Sequence, residues 1–386
     1  MKKVLVIHNN YRNIGGEDVA VENEIKILKK FFQVETLFFN NKNKNTLNDI
    51  FSLIIRNNRN SNKKVEEIIF DFKPDIVYVH NTWFKATLGI FKILNKNNIN
   101  TTIKLHNFRY SCTRNYFASG HFGKDDICNA CGLNKKSLGL FNKYFLDSYF
   151  KSLAMIIYGK KYFKILKSNH NKIFVLTDFH KNYLIKLGVE KEKITTFPNY
   201  LDFKPNVNDS NNIFSDYVIY AGRISEEKGV YELIKSFLEV NVPNLKLKII
   251  GNGPNLNKLR QIFKEHSNQI EFVGEKPNSE VLKMIKHSRA VLTATKLFEG
   301  QPTLLCEASS FGVPSIFPNT GGINEFFPQD YELSFRQFDY EDLKKKLNLL
   351  NNLEELKVIG NDNKNYLEEY LDIKKFKNTF EQIHDV

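Results

Sequence analysis

Four groups of residues have types and spacings that can do chemistry. The first is a pair of carboxylates, Glu299 and Glu307, in the run Phe298-Glu299-Gly300-Gln301-Pro302-Thr303-Leu304-Leu305-Cys306-Glu307. Pro302 suits a first helical turn, where a missing N–H costs nothing, so Glu299 is expected in a loop and Glu307 on the helix that follows. A carboxylate among Leu304, Leu305 and Cys306 needs a partner if it is buried. Two ribose hydroxyls would supply one, because an ionised carboxylate accepts two hydrogen bonds. A capping or salt-bridged glutamate is the alternative.

The second group is Gly222-Arg223-Ile224-Ser225-Glu226-Glu227-Lys228-Gly229, after the apolar run Tyr217–Ala221. Arginine offers a planar fork and lysine a point charge, a combination that fits a diphosphate; a solvated basic turn is the plainer reading. The third is His8-Asn9-Asn10-Tyr11-Arg12-Asn13-Ile14-Gly15-Gly16-Glu17-Asp18. Its paired glycines allow close backbone approach, and free N–H groups at a helix start suit an anion. A tight turn explains them equally well. The G-x-G-x-x-G fingerprint of a dinucleotide fold is absent, which argues against a dehydrogenase built on two Rossmann domains. The fourth group is His106, at the end of Thr101–Leu105, together with Cys112, Cys128 and Cys131.

These residues need elements to position them. In the first half, apolar and β-branched runs at Val4–Ile7, Val34–Phe39, Ile76–Val79, Thr101–Leu105 and Ile173–Leu176 alternate with amphipathic segments such as Val19–Phe32 and Ala86–Lys96. The second half repeats the alternation. Its strands are expected at Tyr217–Ala221, Leu245–Ile250, Ile270–Val273, Ala290–Thr295 and Pro314–Phe317, and its helices at Gly229–Glu239, Leu256–His266, Ser279–His287 and Thr303–Phe311. Continuous apolar strands alternating with helices predict parallel sheets covered on both faces. The expected architecture is α/β, with two doubly wound Rossmann-like domains facing across a cleft. The boundary is expected in the Pro-, Asn- and Asp-rich stretch 197–215, giving domains 1–200 and 201–362, with a last helix, about 363–386, crossing back to the first. In such sheets ligands sit where strand ends meet loops and helix N-termini.

Taken together, Gly15-Gly16, Gly222-Arg223 with Lys228-Gly229, the E-x7-E pair Glu299 and Glu307, and Gly321-Gly322-Ile323-Asn324-Glu325 resemble the retaining glycosyltransferases of family 4, which have the GT-B fold. The resemblance runs over most of the chain and is strongest from Tyr217 to Glu325. It implies a nucleotide-sugar donor held mainly by the C-terminal domain and an acceptor held mainly by the N-terminal one. It implies that Arg223 and Lys228 hold the diphosphate, Glu307 the ribose, and Glu299 the donor sugar. Around them Gly222, Gly300, Gln301, Pro302, Thr303 and Leu304 would line the donor, and Gly15 and Gly16 would approach its phosphate–sugar junction. His106 matches the position of a histidine that faces the donor sugar. Gln301-Pro302 departs from the Phe-Gly common in the family, and Pro302 has no N–H to donate to phosphate.

Breaking a sugar–diphosphate bond builds negative charge on the leaving phosphate, which fixed cations and helix N-terminal amides can stabilise. No cofactor or catalytic metal is then required. There is no D-x-D pair where a donor would lie, and Asn361-Asp362-Asn363 is expected to be a surface turn. Cys112, Cys128 and Cys131 include one C-x-x-C and, with His121 or His106, would make a Cys3His structural zinc site. Inert thiols are the alternative, and Cys306 is expected in the core.

Charge narrows the partners. Residues 1–200 hold 33 Lys and Arg against 16 acids, the rest 23 against 27, so the basic excess lies wholly in the first half of this 386-residue chain. Nine lysines fall between Leu133 and Lys172 with one acid, Asp147. The segment 148–167 either lies on an anionic headgroup surface or packs as an ordinary helix. The expected acceptor is a glycan or a polyprenyl-diphosphate-linked saccharide of bacterial surface polysaccharide (O-antigen or capsule) synthesis. With four cysteines, no apolar run of about 18 residues and no secretory h-region, the expected setting is cytoplasmic, peripheral at the membrane's inner face. The competing classes are a basic nucleic-acid-binding protein, which lacks any reader motif, and a non-catalytic sugar-nucleotide binder.

Overall fold

The computed structural model describes residues 1–11, 16–41, 47–108, 110, 149–201 and 215–384. They divide into two compact units, the first taking the described residues up to 201 with 371–384, the second taking 215–370.

The first unit is a parallel six-stranded sheet in the order β2-β1-β3-β4-β5-β6, formed by β1 (Lys3–Asn10), β2 (Gln33–Asn40), β3 (Ile76–Val79), β4 (Asn100–Leu105), β5 (Asn171–Val175) and β6 (Ile194–Thr196). Val4, Leu5, Val6 and Ile7 have no exposed surface, as a strand covered on both faces requires. β2, at the edge, loses that continuous burial. The strand order reverses between β1 and β3, the switch point where ligands gather in open α/β sheets.

One charged pair lies inside this core. Lys104 on β4 and Glu24 on the helix Gly16–Leu28 are wholly buried and bonded to each other. The Tyr78 hydroxyl also donates to Glu24, at 2.9 Å, and the Lys104 ammonium sits 5.0 Å from the centre of the Phe197 ring. Burial pushes the lysine pKa down and the glutamate pKa up, against their mutual attraction. Breaking one half of such a pair would strand a charge in a low-dielectric core.

The second unit is another parallel sheet, in the order β12-β11-β10-β7-β8-β9. Its strands are β7 (Tyr217–Ala221), β8 (Lys246–Ile250), β9 (Ile270–Gly274), β10 (Val291–Leu292), β11 (Ser315–Asn319) and β12 (Ser334–Arg336). Here the order reverses between β7 and β10, so the loops after these two strands flank the switch point.

The chain returns to the first unit at 371 rather than near 363. The helix Leu353–Tyr370 stays with the second unit, burying Leu356, Gly360, Asn363 and Leu367. Asn361-Asp362-Asn363 is therefore no surface turn: it is the middle of that helix, and Asn363 donates to the Ser309 hydroxyl. Gly360 makes this possible, because a Cβ there would lie 2.0 Å from the Gly312 carbonyl oxygen. The returning helix, Ile373–His384, buries Phe376 and Phe380 against Tyr78, Phe174 and Phe197.

Candidate functional site

In the second unit the loop after β7 runs through Gly222 and Arg223 into a single 3-10 turn, Glu226–Lys228, before the helix Val230–Leu238. The Tyr220 hydroxyl pins the loop by donating to the Arg223 carbonyl at 2.8 Å, and the Arg223 side chain projects into solvent. Gly229 has φ +64°, and a Cβ on it would lie 2.0 Å from the Ala294 carbonyl oxygen. Glycine is what lets the two switch-point loops close on each other.

Across that contact, Lys228 Nζ lies 2.5 Å from Glu299 Oε1. The Thr295 hydroxyl donates to the same oxygen at 2.9 Å. The Glu299 carbonyl accepts from Gly322 N at 2.9 Å. Gly321 packs so closely that its Cβ would sit 2.1 Å from that carbonyl oxygen. Lys296 adds a second clip, its ammonium 2.7 Å from Glu232. Three segments that carry the motifs of the resemblance are thus brought together: 222–229, 295–303 and 320–325. Pair and loop remain partly exposed, Lys228 at 29% and Glu299 at 28% of their side chains, so the ammonium keeps donors for an incoming anion.

Beyond Glu299 the chain passes Gly300, Gln301 and Pro302, all half-buried, and enters the helix Thr303–Ser310. Leu304 presents its N–H in the first turn, whereas the Thr303 N–H donates to the Gln301 carbonyl at 3.1 Å. Glu307 lies on this helix, half-buried, and burial raises its carboxyl pKa to about 7 against the pull of a hydrogen bond from the Asn278 side chain. Cys306 is fully buried, and desolvation holds its thiol well above the usual range. Two polar groups here escape a reading by motif. Thr295 fixes Glu299, and Ser225 buries its hydroxyl with no hydrogen-bond partner among the described residues.

In the first unit three histidines lie at or near the ends of three neighbouring strands. His8 lies on β1, His80 follows β3 and His106 follows β4. His80 Nδ1 and His106 Nε2 share a hydrogen bond of 3.0 Å, with the rings stacked at 5.3 Å between centroids. Burial first, then neighbouring positive groups, depresses both pKa values well below the ordinary 6.5, so both rings are neutral at pH 7. His8 accepts from Asn81 N at 3.4 Å and bonds Asp18 at 2.9 Å. Asp18 also takes the Tyr11 N–H at 3.2 Å, anchoring both ends of the diglycine loop. Gly16 opens the helix Gly16–Leu28 and is exposed. Gly15 lies outside the described residues, as do Cys112, Cys128, Cys131 and His121. His8 and His80 were legible as single residues closing apolar runs, but their contact with His106 was not.

With this geometry in place, comparisons with known proteins identify the fold. Residues 204–374 match the sequence model of the family described as "Glycosyl transferases group 1". An uncharacterized glycosyltransferase of Methanocaldococcus jannaschii is 28% identical over 286 residues, 72% of this chain and 63% of that protein. The capsular polysaccharide biosynthesis glycosyltransferase CapM of Staphylococcus aureus is 28% identical over 218 residues, 53% of this chain and 54% of that protein. The match thus spans less than two thirds of the length of either relative. Among solved structures, Anabaena HepE in complex with UDP and glucose superimposes with a TM-score of 0.69 at 14% identity, over 100% of both chains. The expected α/β fold of GT-B glycosyltransferases is therefore present.

Proposed function

We propose that this chain is a retaining, metal-independent glycosyltransferase that moves a sugar from a nucleoside-diphosphate sugar to a saccharide acceptor. The observation that carries this reading is the Lys228–Glu299 clip between the two loops that flank the second unit's switch point, with Arg223 on the first loop and Glu307 on the helix that follows the second, inside the region that matches the group 1 model. Arg223 and Lys228 would hold the diphosphate, helped by the first-turn amide of Leu304. As the sugar–oxygen bond breaks, charge grows on the leaving phosphate, and these fixed groups gain strength where it grows. Glu307 would accept both ribose hydroxyls, which would repay its desolvation. Glu299, its carboxylate oriented by Lys228 and Thr295, would accept from a donor-sugar hydroxyl. His106, kept neutral beside His80, would meet the sugar as a hydrogen-bonding group rather than as a cation.

The acceptor we favour is a growing surface glycan, capsule or O-antigen in kind, carried on a lipid diphosphate. The relatives in polysaccharide biosynthesis support that setting. A peripheral position at the inner membrane face would use the exposed lysines 160, 161, 164 and 167. The first three lie on the helix Tyr149–Leu166, which buries Tyr158 and Leu166 in its own unit, and Lys167 follows it; these lysines would meet the headgroups. Flotation with anionic vesicles at low salt tests this, and absence of binding removes it. The activity itself is tested by incubating the protein with UDP- and GDP-sugars and a saccharide panel. The product's anomeric configuration, read by proton NMR, should match the donor's; an inverted product would overturn retention.

A further inference from the structure

The first unit holds a pocket beside the ends of β3 and β4 that shares His106 with the proposed donor-sugar contact but is otherwise unassigned. It is walled by Glu17, Trp83, Asn107, Tyr158 and Tyr162, with His106 at one side. The backbone of Trp83 is pinned by hydrogen bonds. Its N–H donates to Asn81 Oδ1 at 2.9 Å, and its carbonyl accepts from Asn81 at 3.1 Å and from Asn41 at 3.2 Å. Its ring meets Tyr158 edge-on, 4.8 Å between centroids, and the Tyr158 hydroxyl is bonded to Thr82 at 2.9 Å. Glu17 is oriented by the Tyr11 hydroxyl at 2.6 Å and the Asn107 amide at 3.3 Å, both on Oε2.

The charges in this pocket decide what it takes. Lys104 reaches its floor, but the ammonium is wholly buried on Glu24. His80 and His106 are neutral for the reasons given above. Among the described lining residues, Glu17 therefore carries the one formal charge not paired with an opposite one, and it is negative. From the described lining residues a phosphate, sulfate or carboxylate would meet repulsion and no cation. The chemistry of the wall suits a neutral pyranose: its C–H face matches an indole, and a carboxylate beside an amide can accept from and donate to neighbouring hydroxyls.

We infer that this pocket is a subsite for an uncharged pyranose ring of the acceptor, with Trp83 as its apolar platform and Glu17 and Asn107 as its hydroxyl-binding pair. Only the word acceptor rests on the glycosyltransferase reading. A lipid diphosphate would lie outside the pocket, with the sugar end inside.

Trp83 is the sole tryptophan of the chain, so its emission reports occupancy directly. The full-length protein is titrated with methyl glycosides of glucose, galactose and N-acetylglucosamine, and with glucuronic acid and glucose 1-phosphate. The expected result is a saturable change with at least one neutral glycoside and none with the two charged sugars. Asn107→Ala should weaken the neutral ligand at least tenfold. Glu17→Gln should admit the charged sugars, a gain that misfolding cannot produce, and both variants should keep the thermal stabilisation by UDP given by the wild type. No response to any neutral glycoside, or equal response to the charged ones, overturns the subsite. Displacement of the glycoside by UDP-glucose would assign the ring to the donor and overturn the acceptor assignment. Failure of UDP to bind would sink the donor reading and leave the glycoside result standing.

Discussion

Lys228 and Glu299, which belong to different loops at the carboxyl edge of one sheet, are joined at 2.5 Å and share their anchor with Thr295. An ion pair this exposed contributes little to folding, about 1 kcal/mol or less. Under the proposed function its role is in binding. Lys228→Ala should shift the melting temperature by no more than a few degrees yet weaken nucleotide diphosphate binding by about tenfold or more, the loss of one charge-assisted hydrogen bond. Calorimetric titration with UDP and GDP checks this. Equal affinity in wild type and variant would remove Lys228 from the diphosphate site.

Glu307 gives a pH signature. Its folded pKa, about 7, lies above the ordinary 4.5 because burial disfavours the carboxylate. Between those values the native state keeps a proton that the unfolded chain has lost. Its burial therefore costs stability as pH rises from 4.5 through 7, reaching up to about 3 kcal/mol above pH 7. Glu307→Gln should flatten this dependence and make the free protein more stable at pH 8. It should also abolish the part of nucleotide affinity that grows between pH 6 and 8 in the wild type, since only the carboxylate accepts both ribose hydroxyls. Denaturant melts and titrations at pH 6, 7 and 8 test both halves.

His80 and His106 titrate in the opposite sense. Their folded pKa values are depressed, so unfolding takes up protons and stability falls as pH drops below 6.5. His80→Gln should reduce the slope of melting temperature between pH 7.5 and 5. His106→Ala should reduce it too, and should also lower kcat by about a hundredfold, within the range of a hydrogen-bonding group at the reacting centre. An unchanged acid slope in both variants would contradict the buried neutral pair.

The returning helix is tied to the first unit by Phe376 and Phe380, both without exposed surface, and by a 2.8 Å hydrogen bond between Thr102 and His384. Phe380→Ala should destabilise that unit by about 3–5 kcal/mol. Calorimetry should show the first unit's transition fall while nucleotide stabilisation of the second persists.

Much of this was legible in the sequence, for identifiable reasons. Strands buried on both faces write themselves as unbroken apolar runs, and Ile76–Val79 and Tyr217–Ala221 match the structure residue for residue. Short edge strands do not: Ile194–Thr196 and Ser334–Arg336 are three residues each, too brief for a pattern. β10 shrinks to Val291–Leu292 because Ala294 and Thr295 leave the ladder to meet Gly229 and Glu299. The E-x7-E and Gly-Arg motifs pointed to the second unit's candidate site, since spacing along one loop is local. The His80–His106 bond and the Trp83 pocket were hidden because their members lie in segments far apart in the chain.

The most direct test of the central claim is thermal denaturation with UDP, GDP, CMP and NADH, on wild type and Glu307→Ala. A ligand at a hundred times its dissociation constant adds about 2.7 kcal/mol, a rise of several degrees for units of this size. UDP or GDP should stabilise the wild type, Glu307→Ala should abolish the effect, and CMP and NADH should do nothing. Stabilisation by neither diphosphate, or stabilisation that survives loss of Glu307, would contradict a nucleotide-sugar site on these loops.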